Sequence, residues 1–179
     1  MLRGVIVGVA GVLVLGVAGL LVAVETGMLP ANADDSPGAF ENWAARTSLR
    51  ATIGRQAPSG PVPIPVNDAN LTAGIQVYAM NCIACHGGPD GLPSGIAKGL
   101  YQRPPQFAKD GVEDDPEGVT YWKVKHGIRF TGMPSFGPTL SDEDIWKVTV
   151  LLKHLDSLPP KAKAAWGHVP SVADAAGGI

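Results

Sequence analysis

The chain has two cysteines, three positions apart, with a histidine directly after the second: Cys82-Ile83-Ala84-Cys85-His86. This pattern restricts the fold more than any other feature. With no further thiol to pair with, a disulfide framework is excluded. A structural zinc site would need a second pair of ligands, and no other cysteine can supply one. A thioredoxin-like redox pair would sit at a strand-to-helix turn of an α/β fold, whereas the flanking pattern here is helical. C-x-x-C-H on a helical turn matches covalent attachment of haem c. The two thiols are spaced to add across the two vinyl groups, and His86 follows where its imidazole can coordinate iron. The aromatic fraction of 6% is low for a domain with a full core of its own, so a flat apolar cofactor would supply part of the packing.

The N-terminus sets the compartment. From Val5 to Val24 there are 20 residues without a charge, rich in Val, Leu, Gly and Ala. A helix of that length spans about 30 Å, the hydrocarbon thickness of a bilayer. Arg3 precedes the run, and Glu25, Asp34 and Asp35 follow it. The positive-inside rule then places everything after Val24 on the periplasmic side of a bacterial cytoplasmic membrane. Ala31-Asn32-Ala33 also has the small-residue pattern of a signal-peptide cleavage site. The apolar run, however, exceeds the ~7–15 residues usual for such a leader, so a retained single-pass anchor is expected. A formal charge of −2, from 14 Lys+Arg against 16 Asp+Glu, gives no basic excess for nucleic acid and no acidic tail.

Composition divides the chain into four parts: an anchor (or signal peptide) over 1–26, a Pro/Gly/Ala-rich linker over 27–66, a folded domain over 67–160 and a flexible tail over 161–179. Within the linker one stretch, Phe40 to Ile53, lacks Pro and Gly and leaves room for a short helix on the membrane surface or on the domain, with a poorly ordered tether as the alternative. In the domain, Asn67 or Asn70 caps a helix with Leu71, Gly74, Ile75 and Tyr78 on one face, running into Cys82. A second helix has Asp115 as N-cap, Pro116 at its first position and Gly127 past its end. A third has Ser141 as N-cap, acids in its first turn, Leu140 stapled to Ile145 and a stripe of Ile145, Val148, Leu152 and Leu155. Trp146 and Val150 give it a second apolar side, and Pro159-Pro160 close it. No alternating strand is present, so the expected fold is all-α. The loop from Gly87 to Asp115 is long for so small a domain and needs something to pack against.

From Leu71 to Leu158 the sequence resembles a class I c-type cytochrome domain. The resemblance rests on a Gly and an aromatic in the helix before C-x-x-C-H, Gly87 after it, the Thr131-Gly132-Met133-Pro134 segment and an acidic, Ile-Trp-containing final helix. The arrangement is similar to membrane-anchored monohaem cytochromes of bacterial respiratory chains. It implies one covalent haem in a small helical domain, with the first and last helices crossing closely, so that Gly74 and Tyr78 would face Trp146. It also implies a distal iron ligand from a Gly-Met-Pro segment, which points to Met133. A loop methionine between Gly and Pro is poorly placed as core filler, which agrees. His126 is the rival ligand, although a histidine at a helix end is also favoured there by the helix dipole.

Around the haem, Arg103 is a candidate propionate partner because a guanidinium fork matches a carboxylate; a solvated loop arginine is the alternative. Tyr101, Trp122 and Arg129 are candidates for the pocket wall or propionate contacts. In related domains a proline carbonyl after the motif holds the proximal histidine, and Pro93 is the nearest candidate here. The acidic stretch Glu113-Asp114-Asp115 reads as a solvated helix start or as a docking patch for a basic partner. With His86 and Met133 both on iron, no position is open to substrate, which suits a one-electron carrier with a high potential and transient redox protein partners. The alternatives are a haem subunit of a membrane oxidoreductase and a haem enzyme or gas sensor with a displaceable distal ligand.

Overall fold

The computed structural model describes residues 1–112 and 114–172 and resolves the chain into two compact units, Met1–Asp35 and Ser36–Ile179. In the first, α1 (Leu2–Glu25) is one continuous run of 24 residues with no buried side chain. Its backbone groups satisfy one another, so only its apolar surface asks for an apolar surrounding. It is long and apolar enough to cross a membrane.

The second unit is all-α, with no strand among the described residues. Its elements are α2 (Ala39–Gln56), α3 (Asp68–Asn81), the single turn α4 (Ile83–His86), α5 (Gly95–Gly99), α6 (Phe107–Asp110), α7 (Glu117–His126), α8 (Asp142–Lys153), a 3₁₀ turn (Leu155–Ser157) and α9 (Pro160–Gly167). The Asn67 side chain caps α3 by accepting from the Asn70 N–H at 2.9 Å. The Ser141 hydroxyl caps α8 by accepting from the Asp144 N–H at 3.1 Å.

The core lies between α3 and α8. Leu71, Ile75 and Tyr78 meet Ile145, Val148, Leu151 and Leu152, all nearly or fully buried. Each such side chain contributes about 1.5–3 kcal/mol by leaving water. Gly74 sets the crossing distance: a Cβ there would run into the Lys147 carbonyl and lie 3.1 Å from the Leu151 Cβ. The second apolar side of α8 is real. Val150 is fully buried, and Trp146 stacks on Tyr121 of α7 at 4.2 Å. Tyr78 therefore does not face Trp146 as expected. It packs edge-on to Trp166 at 5.2 Å, an aromatic assigned by composition to a flexible tail.

That tail is the clearest departure from the sequence reading. Pro160 opens α9 rather than closing α8, because a proline at a first helical position loses no intrahelical bond. Ala162 and Trp166 bury against the core, and the chain then returns to the loop after His86, where the Ser171 hydroxyl donates to the Asp90 carboxylate. Residues 173–179 lie outside the described residues. In the 27–66 stretch the helix allowed over Phe40 to Ile53 is present as α2; its Ile53 is buried, so the folded unit reaches back to Ser36 rather than starting at Asn67. Asp115 does not cap α7. Pro116 takes that position, and the Asp115 carboxylate pairs with Lys123 at 2.5 Å; Glu113 lies outside the described residues.

Candidate haem site

α3 ends at Cys82, and the chain turns once through α4 before Gly87 stops it at φ 73. The Cys85 and His86 amides both donate to the Cys82 carbonyl, at 3.1 and 2.9 Å, which keeps both thiols and the imidazole on one turn. Both cysteines are free. Burial, with a smaller push from Cys85, raises the Cys82 thiol to about 12, so before attachment it is a neutral thiol.

The imidazole is held from outside its own turn. His86 Nδ1 lies 2.9 Å from the Pro105 carbonyl. A carbonyl only accepts, so Nδ1 carries the proton and Nε2 is left with its lone pair. Burial lowers the His86 pKa, opposed by the bond to Pro105, and the ring is neutral as a metal ligand must be. Phe107 stacks on it at 4.3 Å with ring planes 9° apart. The acceptor is thus Pro105 rather than Pro93.

Three buried side chains satisfy the carbonyls that the end of the turn leaves orphaned. The Ser94 hydroxyl donates to Ala84 O at 2.5 Å, the Gln106 amide to Cys85 O at 3.1 Å and the Tyr78 hydroxyl to Gly87 O at 2.8 Å. The loop from Gly87 to Asp115 is thereby tied to the turn at two points, Ser94 and Gln106. None of Ser94, Gln106 or Phe107 stands out in the sequence, because a lone Ser, Gln or Phe in a loop has no periodicity to betray it.

Met133 lies on the loop after α7. Gly127 starts that loop at φ 66, and a Cβ there would lie 2.7 Å from the Met133 carbonyl. The Met133 carbonyl accepts from the Ile128 N–H at 3.2 Å, and the Met133 N–H donates to the Thr131 hydroxyl at 3.1 Å. Met133 is half-buried at the edge of the core, while Phe130 beside it is 87% exposed at φ 61.

The other sequence candidates divide. Tyr101 and Trp122 both bond to α2: the Tyr101 hydroxyl donates to Glu41 at 2.6 Å and the Trp122 indole to Gln56 at 3.2 Å. Arg103 and Arg129 are exposed. His126, at the end of α7, rests on the Trp122 ring at 5.1 Å. Among the described residues no three His, Cys, Asp or Glu side chains are grouped to hold a metal. Two free thiols on one turn with a neutral, oriented imidazole fit attachment of haem c: Cys82 and Cys85 would carry it and His86 would ligate its iron.

Residues 69–152 match the family described as cytochrome C oxidase, cbb3-type, subunit III. A cytochrome c6 from Picosynechococcus sp. (strain ATCC 27264 / PCC 7002 / PR-6) is 36% identical over 91 residues, covering 49% of this chain and 75% of the relative. The solved Kuenenia stuttgartiensis reducing HAO-like protein complex aligns at 23% identity over 55% of this chain and 50% of that one, with a TM-score of 0.37. The chain thus spans half the length of that solved chain, and the likeness is too loose to argue from. The cytochrome c6 relationship is close enough to decide the family: the chain belongs to the class I c-type cytochromes and takes haem c as its cofactor.

Proposed function

We propose that this protein is a one-electron carrier with His86 and Met133 as axial ligands, tethered by α1 with its haem domain on the periplasmic side of a respiratory membrane. Electron transfer by haem is the property of its family. The haem iron supplies the chemistry, exchanging one electron between ferric and ferrous states. The protein's part is to keep both ligands in place through that exchange. His86 does so with a fixed tautomer and a neutral ring. The observation that carries the Met133 assignment is its pinned loop: the Ile128 N–H holds the Met133 carbonyl and the Thr131 hydroxyl holds its amide.

Supporting the topology are α1, with no buried residue, and the charge asymmetry around it. Arg103 and Arg129, exposed in the loops that carry Pro105 and Met133, are proposed as propionate partners. Tyr101 and Trp122 are proposed as pocket wall, held by α2.

The test is Met133→Ala in the holoprotein. The weak far-red ferric band of sulfur–iron coordination should vanish, carbon monoxide should bind, and the potential should fall, since a thioether favours ferrous iron. Retention of the native spectrum, with its loss in His126→Ala, would transfer the role to His126. A second reading, a fixed subunit of a membrane oxidoreductase, draws on the description of the matching family. Purification in mild detergent distinguishes the two: a shuttle comes alone, and a subunit brings partners.

A further inference from the structure

The His86–Pro105 bond joins two stretches of chain that have no backbone way of holding each other. Pro104 and Pro105 lack N–H groups, so their segment offers the turn only carbonyls. The turn answers with carbonyls of its own, since α4 ends there. Cys85 O and Pro104 O are both acceptors, and two acceptors hold together only through a group with two donors. The Gln106 amide nitrogen has two N–H bonds, and it donates to Cys85 O at 3.1 Å and to Pro104 O at 3.0 Å. The direct bond between His86 and Pro105 lies one residue further along each strand. The result is a two-rung ladder, with Gln106 as the first rung and the proximal histidine as the second.

Gln106 is itself fixed. Its side chain is 7% exposed, and its backbone N–H donates to the Asp110 carboxylate at 2.8 Å. Its Oε1 is buried with no partner and sits where a side chain on Gly87 would have to be. Turning the amide over would give Oε1 no donor at the two carbonyls and would press acceptor against acceptor there. Both donors are committed to the ladder, and the oxygen is left unsatisfied for it.

We propose that Gln106 is the positioning residue of the proximal ligand: by clamping Cys85 O to Pro104 O it holds the Pro105 carbonyl on His86 Nδ1–H. The proposal rests on the reading of His86 as iron ligand. A hydrogen bond at Nδ1 raises the basicity of Nε2 and favours ferric iron. Loosening the clamp therefore raises the ferrous share.

The experiment uses full-length holoprotein and Gln106→Met, which keeps length and loses both donors. Haem should stay covalently bound. Exchange of the hyperfine-shifted Nδ1–H proton of ferric His86 should quicken about tenfold, and the ferrous-to-ferric ratio at fixed ambient potential should rise about three- to tenfold. Thr149→Ala, which opens the core away from the ladder, should lower stability and move neither reading. Unchanged exchange and ratio in Gln106→Met, or equal changes in Thr149→Ala, overturns the proposal. Should Gln106→Met fail to hold haem, the wild type decides: slow exchange of the Gln106 side-chain amide protons supports the clamp, and exchange at the solvent rate overturns it. A wild type in which His86 Nδ1–H shows no hyperfine shift would overturn the ligand reading first, and this one with it.

Discussion

The turn that carries His86 and the loop that carries Met133 solve the same problem by opposite means. On the proximal side, four consecutive residues from Ala84 to Gly87 are each held by a group distant in sequence: Ser94, Gln106, Pro105 and Tyr78. On the distal side, the bonds at Met133 are local, reaching only Ile128 and Thr131. The outer limb of the loop is clipped to the end of α7, where Ser135 and Gly137 donate to the Lys125 carbonyl. Of the two proposed ligands, His86 sits on a turn held by side chains and a carbonyl from other segments, and Met133 on a loop held by bonds within itself. The proximal site should therefore resist perturbation until the fold itself gives way, and the distal site should respond first.

The most severe break in this comparison is removal of its proximal anchor. Cys82→Ala with Cys85→Ala should abolish haem retention through denaturing electrophoresis, leaving the distal loop nothing to face. Met133→Ala comes next: haem is kept, the far-red band is lost, and carbon monoxide gains access, all read by absorption. Gly127→Ala tests backbone control of Met133, the proposed distal ligand. A side chain at φ 66 against the Met133 carbonyl should cost about 1–3 kcal/mol and reduce the far-red band in proportion.

Tyr78→Phe is the proximal counterpart. It strips Gly87 O of its donor and should cost about 1–3 kcal/mol in denaturant titration, with the far-red band intact. The smallest effect belongs to the exposed pair of Lys125 and Asp142, 2.7 Å apart. Lys125, with a lesser part from Tyr121, holds the Asp142 carboxyl below its ordinary range. A depressed carboxyl contributes stability above its unfolded pKa and loses it as pH falls through the folded one. Asp142→Asn should therefore lower the denaturant midpoint slightly at neutral pH, a difference that fades as pH falls through the folded carboxyl's range, and should leave the far-red band intact.

The sequence carried the chemistry and the two central helices because each had a local signature. C-x-x-C-H is contiguous, Asn67 and Ser141 mark helix starts within a few residues, and Gly74 lies in the stripe it serves. It misplaced what depends on which distant segment returns. Nothing near Tyr78 distinguishes Trp146 from Trp166 as its partner, and nothing near His86 distinguishes Pro93 from Pro105. α9 was hidden by composition: prolines outside a helix make the whole stretch look like a tail, although Pro160 starts one. Spacing along a loop does not determine which of its carbonyls comes back to the ring, which is why Pro93 is no more than a candidate in the sequence.

Gly118, near the start of α7, has the Pro58 carbonyl seated where its side chain would be. Position 118 is therefore a keyhole that only glycine leaves open, and the segment following α2 is the key. A fragment begun at Asn67, where the helical pattern of the domain becomes visible, would drop the key and bare the Trp122 indole that Gln56 now satisfies. A fragment begun at Ser36 would keep both and leave α1 behind, which makes residue 36 a safe place to cut when a soluble haem domain is wanted.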